Sequence, residues 1–351
     1  MTDVDPSATE VSASSLPRGA SVAPPTNPVG SLEKGPDAVA SKPSSPVGRW
    51  GKRVLAVVVA GFVGVTLIRL GRAFEARELS LRIWPLLVLT VLLVLANFAQ
   101  AFAWARLLDR LVHRRVARRP VCAIYCAGQL ARYTPGKVAL VLVRVAGAKR
   151  LGLDVRIVAS SVGIEVLSWM TVGLLIGALA LGGSRSALGR LGPFLSTYSV
   201  PVAAAIVVGM LVLLLVDRRR FPAFALRLLG AKGEGPLLSW PVLGWQALSW
   251  AGCFAQAWLL PIAVGVDHAS AWEHLALFVL APIAGFLAMV APGGLGVREA
   301  VLSMALAGTM GPSRALAIAV LARTAYVASE IIAWLVARGL DRHGALSTGE
   351  S

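Results

Sequence analysis

The chain has 351 residues, of which 56% are hydrophobic and 15% charged, and its mean hydropathy is +0.72. Soluble domains carry charge on about a quarter of their residues, so this composition excludes an ordinary soluble globular protein and puts most of the chain in lipid. Thirty-four Lys and Arg against 18 Asp and Glu give a net charge of +16, which in so apolar a chain marks the cytoplasmic side of membrane segments rather than a nucleic-acid surface. No nucleic-acid partner is expected.

Residues 1–48 are rich in Ser, Pro, Ala and Gly with scattered acids. They carry too little apolar surface to offset their ordering entropy and read as a disordered cytoplasmic tail. They lack the basic start and apolar core of a signal peptide. Residues 49–340 then form the transmembrane domain, and 341–351 a short cytoplasmic C-terminal tail. The three cysteines, Cys122, Cys126 and Cys253, have neither metal-ligand nor disulfide-framework spacing, so no metal or cofactor is expected.

A helix needs about 20 apolar residues to cross a hydrocarbon core about 30 Å thick. Such runs occupy Val54–Leu70, Trp84–Leu108, Ile157–Leu181, Ser199–Val216, Trp240–Val266 and Ala315–Ala337. Two further apolar regions are interrupted: Val121–Ala148 by Tyr133-Thr134-Pro135-Gly136-Lys137, and Trp272–Ala307 by Pro292-Gly293-Gly294-Leu295-Gly296. Proline removes a helix donor and glycine adds backbone freedom, so neither region is one continuous helix. Each is either two half-length helices around a link inside the bundle or two segments joined by an ordinary short loop. The fold expected is an all-α polytopic bundle of about six full spans plus two broken segments. Breaks entered from opposite faces would suit an inverted repeat.

With the N-terminus inside, 24 of the 34 basic residues fall in cytoplasmic segments, seven fall outside, and Arg106, Arg298 and Arg323 lie within apolar segments. This asymmetry supports cytoplasmic N- and C-termini. The cluster Arg110, Arg114, Arg115, Arg118 and Arg119 reads as a topology anchor on anionic lipid.

Charges within spans are functional candidates by default. Glu165 lies well inside its span, Arg298 and Glu299 follow the second break directly, and Arg323 and Glu330 are seven residues apart on nearly one helix face. Structural pairing that fixes helix register is the competing explanation. Asn97, Gln100, Gln246 and Gln256 suit interhelical hydrogen bonds. A half-helix starting after Gly296 offers backbone N–H groups and partial positive charge to an anion, and Arg298 adds a fork matched to phosphate. Arg132, Lys137 and Arg144 flank the first break and could serve an anion too, or be ordinary positive-inside charges.

The run Pro292-Gly293-Gly294-Leu295-Gly296-Val297-Arg298-Glu299-Ala300, with Arg323 in the next helix and an upstream Pro135-Gly136-Lys137 followed by Arg144, resembles the flippase-like membrane region of lysylphosphatidylglycerol synthases. In that family the helix after the first break usually carries a Glu-Arg pair followed by an acid. Here Glu165 holds the acid's place, but Val166 replaces the arginine and Trp169 stands where the later acid is expected.

The resemblance implies movement of a phosphate-bearing lipid or lipid-linked headgroup between leaflets of a bacterial inner membrane. The substrate-binding set it suggests is Gly293, Gly294, Gly296, Arg298, Glu299, Arg323, Glu330, Glu165, Pro135, Gly136, Lys137 and Arg144. In the synthases a soluble C-terminal domain uses aminoacyl-tRNA to modify the lipid. About ten residues follow Asp341 here, so a stand-alone membrane region without catalytic residues is expected. The pattern G-x-x-x-x-G-K-[ST] is absent from the sequence, so transport would draw on an ion gradient or run downhill. Competing functions are a membrane enzyme acting on a lipid-linked substrate and a non-transporting scaffold of an envelope complex. Anionic lipids are the expected partners, with a second copy or an envelope-biogenesis protein also open.

Overall fold

The computed structural model describes residues 81–133, 138–182, 238–266, 271–288 and 291–347, with Ile68 and Val208 as isolated further positions. The expected tail, the runs Val54–Leu70 and Ser199–Val216 apart from those two residues, and Thr134, Pro135, Gly136 and Lys137 of the first break lie outside the described residues. The described chain is helical, without a strand: α1 (Ile83–Val112), α2 (Arg118–Ala131), α3 (Val138–Ala148), α4 (Val155–Gly182), α5 (Trp240–Ala263), α6 (Ala271–Leu287), α7 (Val297–Met310) and α8 (Pro312–Ser347).

Three of these, α1, α4 and α8, are both long and apolar enough to cross a membrane. Helix α5 has the length, at 24 residues, but its four tryptophans and two glutamines make it less apolar. The arms of the first break, α2 and α3, have 14 and 11 residues. At 1.5 Å per residue they reach only about 21 and 16 Å, short of the bilayer core. The arms of the second break, α6 and α7, have 17 and 14 residues.

Polarity runs inside out. Helix α1 exposes Ile83, Leu87, Val91 and Leu95, an apolar stripe at four-residue spacing, while the bundle interior buries Asn97, Arg144, Glu165, Gln246, Gln256, Arg298, Glu299, Arg323 and Glu330. Only a solvent as apolar as leucine makes that arrangement favourable, because interior polar groups then find partners that lipid cannot supply.

The most extensive helix contact joins α1 to α5. Small residues permit it: a Cβ at Gly252 would lie 3.1 Å from Leu93 and 3.2 Å from Ala96. Across the bundle, a Cβ at Gly173 of α4 would overlap the Trp250 ring at 2.2 Å, so this glycine seats Trp250, whose ring stacks on Trp169 with centroids 4.4 Å apart.

Between α1 and α2 the basic cluster is tied to the protein itself. Asp109 accepts a backbone hydrogen bond from Val116 at 2.8 Å and pairs with Arg118. Arg114 donates to the Gly152 carbonyl at 2.9 Å. Arg106 is half-exposed, 4.0 Å from Asp109. The sequence argument set Arg106 apart and counted Arg132 and Arg144 among cytoplasmic charges; the fold reverses these places. Arg144 is 1% exposed, and the Arg132 side chain reaches the buried Glu330. The reason is local: both sit beside the first break, whose short arms lie against the other helices instead of leaving the bundle.

Candidate functional site

The two breaks meet. At the end of α2 the Arg132 carbonyl accepts a hydrogen bond from the Gly293 N–H at 3.2 Å. Gly293 has φ +57°, and a Cβ there would lie 2.5 Å from the Tyr133 ring, so no side chain fits. Gly294 has φ +73°, and its Cβ would fall 2.7 Å from the Gly285 carbonyl of α6. These glycines are required by left-handed backbone and by close approach together.

Charged groups gather around this junction. Glu330 of α8 accepts from Arg132 at 2.5 Å and from the Tyr133 hydroxyl at 2.6 Å. Arg323, two turns earlier on α8, donates to the Gly293 carbonyl at 3.0 Å, and its Nε lies 3.8 Å from Glu299. Arg298 donates to Gln256 Oε1 on α5 at 2.9 Å. Tyr326 lies between two guanidinium groups, 4.7 Å from Arg298 and 5.1 Å from Arg132. Arg323 and Glu330 thus share a face of α8 but take different partners.

Glu299 turns back on its own helix. Its carboxylate accepts the Gly296 N–H at 2.7 Å, the acidic half of a capping box. The N-terminus of α7, which the sequence argument offered to an anion, therefore has one donor taken and a carboxylate in its first turn. What remains for an anion is the guanidinium cluster. Arg132, Arg298 and Arg323 line a cavity of about 40 Å³ with Trp169, Gly285 and Tyr326. Three guanidinium groups face two carboxylates, and Arg298 Nε, Arg132 Nε, Arg323 Nε and Arg323 Nη2 are buried without a hydrogen-bond partner among the described residues. Buried donors on a site of net positive charge are satisfied by an anion.

Glu165 and Arg144 form a second centre. They are paired with each other, and Arg144 is sandwiched by Tyr125 at 4.3 Å and Trp104 at 4.9 Å. Val166 stands where the family carries an arginine, and the cation on Glu165 comes instead from α3. The Tyr125 hydroxyl contacts Gln100 Oε1 and lies 3.1 Å from Glu165. Gln246 of α5 donates to Ser168 at 2.6 Å, one turn along from Glu165.

One face of α2 joins the centres. Tyr125, Gln129 and Arg132 follow at spacings of four and three, so they stack along one stripe. Gln129 donates to the Tyr125 hydroxyl at 2.5 Å and accepts from Arg132 at 3.3 Å. A continuous polar chain thus runs from Arg144 and Glu165 through Tyr125, Gln129 and Arg132 to Glu330.

Gly293, Gly294, Gly296, Arg298, Glu299, Arg323 and Glu330 are brought together at the junction, while Glu165 and Arg144 occupy the linked second centre. Pro135, Gly136 and Lys137 lie outside the described residues. Sequence reasoning missed Tyr125, Gln129, Tyr133 and Tyr326, and left Arg132 among flanking charges. Among the described residues no group of three or more His, Cys, Asp or Glu could hold a metal ion.

Residues 53–337 match the family described as the lysylphosphatidylglycerol synthase TM region. The chain belongs to that family. Its match covers every described helix from α1 to α7 and most of α8, including both centres. No curated protein matches the chain. In this member of the lysylphosphatidylglycerol synthase TM family, a multi-pass membrane protein, the Pro-Gly-Gly-x-Gly-x-Arg-Glu run forms the second break and supplies one wall of the arginine-lined cavity.

Proposed function

We propose that the protein binds the phosphate of a membrane lipid, or of a lipid-linked headgroup, at Arg132, Arg298 and Arg323 and carries it between leaflets without chemical change. One observation carries this reading: three guanidinium groups with unmatched N–H donors surround a cavity inside the bundle, where the two broken helices touch. A lipid phosphate supplies both the charge and the acceptors that this site lacks.

The geometry suits movement across the bilayer. Arg323 and Glu330 stand 11 and 18 residues from the start of a 36-residue helix, well inside the span rather than at its ends. Discontinuous helices meeting at depth are the arrangement in which transporters place their substrates. In this reading the chain has about six full spans and two broken segments of inverted sense, with both termini on the cytoplasmic side of a bacterial inner membrane. Moving Arg132 and Arg144 from the loops to the interior leaves 22 cytoplasmic basic residues against seven outside, so the charge asymmetry still supports that orientation.

Native mass spectrometry of the purified protein tests the reading. Phosphate-bearing lipid is expected on the wild type and depleted on Arg298→Ala. Equal lipid retention by both would contradict it, and a stoichiometric protein partner without bound lipid would favour the scaffold.

A further inference from the structure

A second cavity adjoins the first and differs from it in chemistry. Its volume is about 30 Å³, and its lining shares Trp169, Pro282 and Tyr326 with the arginine-lined cavity. Gln256 lines it too, and its Oε1 holds Arg298 at 2.9 Å, so the two spaces have a common wall of one amide and two aromatic rings. None of its lining residues is charged.

The polar groups there present both donors and acceptors. Asn97, midway along α1 and buried, donates to the Leu93 carbonyl at 2.9 Å and to Ser329 at 3.3 Å. Its Oδ1 has no hydrogen bond among the described residues. Gln100 accepts from Tyr125 through Oε1, and its amide donors have no hydrogen bond among the described residues. Ser249 donates to the Gln246 carbonyl at 2.6 Å and keeps its lone pairs. A hydroxyl group donates and accepts at once, so it satisfies such a mixed neutral set. An ammonium only donates and a carboxylate only accepts. Trp169, stacked on Trp250, adds an apolar face of the kind that packs against C–H groups.

We infer that this neutral cavity receives the hydroxyl groups of an uncharged polyol or sugar headgroup whose phosphate sits among Arg132, Arg298 and Arg323. The inference rests on the phosphate reading above and adds the substrate class to it. A water needs about 10–15 Å³ of such space, so the cavity admits roughly two hydroxyl-sized groups beside the phosphate.

The test is a lipid titration of the full chain in detergent, read by native mass spectrometry, with phosphatidic acid, phosphatidylethanolamine, phosphatidylglycerol and phosphatidylinositol of matched acyl chains. Phosphatidylglycerol and phosphatidylinositol are expected to bind about fivefold or more tighter than phosphatidic acid and phosphatidylethanolamine, the factor for one or two neutral hydrogen bonds. Asn97→Leu should bring these two lipids down to the level of phosphatidic acid and leave phosphatidic acid itself within about twofold. Ser249→Ala, a smaller change that keeps the core intact, should lower the same two lipids by about threefold. Equal binding of all four lipids by the wild type, or tightest binding of phosphatidylethanolamine, would overturn the inference while leaving the phosphate reading in place. Lipid binding insensitive to Arg298→Ala would remove the phosphate reading itself.

Discussion

The two charged centres of this bundle use the same residue types to opposite ends. At Arg144 and Glu165 one cation meets one anion, both are buried, and aromatic rings and hydrogen bonds fill the remaining space. At the junction of the breaks three cations meet two anions, donors are left over, and a cavity remains. A closed pair fixes how helices stand, whereas an open, undercompensated cluster is built for something that arrives. Burial of charge alone therefore does not mark a site in this protein; the mismatch of charge and donors does.

The sharpest way to break that contrast is to unpair the closed centre. Glu165→Gln leaves Arg144 buried without its counter-ion and should cost about 3–5 kcal/mol of stability, seen as a large drop in thermal unfolding temperature in detergent. The paired replacement Arg144→Met with Glu165→Leu should recover most of it. A small loss from Glu165→Gln alone would mean that the pair is not structural.

Gly294→Ala comes next. Its Cβ would meet the Gly285 backbone at 2.7 Å in a left-handed conformation, and a loss of about 2–3 kcal/mol is expected by the same unfolding assay. An unchanged transition would show that the second break does not pack against α6 as described.

Arg298→Ala should behave in the reverse manner from the Glu165 change. Binding of anionic lipid should fall about tenfold or more, while stability should move by no more than about 1 kcal/mol, because relief of repulsion among three guanidinium groups offsets the lost bond to Gln256. Parallel lipid titrations and melts on one preparation check both halves.

The smallest effect belongs to the link between the centres. Tyr125→Phe removes the hydroxyl that Gln129, Gln100 and Glu165 share and should cost about 1–2 kcal/mol. Combined with Glu330→Gln, its effect should be non-additive if the polar chain is continuous; strict additivity would show two independent centres.

Much of this was legible in the sequence. Apolar runs of spanning length located α1, α4, α5 and α8, and proline and glycine located both breaks, because backbone chemistry is local. Arg298, Glu299, Arg323, Glu330 and Glu165 stood out as charges where lipid tolerates none. The four amides Asn97, Gln100, Gln246 and Gln256 do bridge helices, through Ser329, Tyr125, Ser168 and Arg298.

What escaped was pairing, since which arginine meets which glutamate depends on helices distant in sequence. Arg144 is the one charged residue of an 11-residue apolar helix, a signal outweighed by counting it with the neighbouring cytoplasmic charges. The stripe Tyr125, Gln129 and Arg132 had helical spacing, but tyrosine and glutamine are common at helix contacts and the pattern acquires meaning only beside Glu165 and Glu330. The role of Glu299 as a cap, rather than a wall of the path, depended on the turn its backbone makes after Gly296.

The central claim, that the arginine-lined junction moves a lipid phosphate across the bilayer, is tested most directly by leaflet exchange of fluorescent phospholipids in proteoliposomes. The wild type should accelerate exchange over protein-free vesicles, with Arg298→Ala returning to the protein-free rate while remaining folded. Exchange at the protein-free rate for the wild type across anionic and neutral lipid classes, or equal acceleration by wild type and Arg298→Ala, would contradict the account.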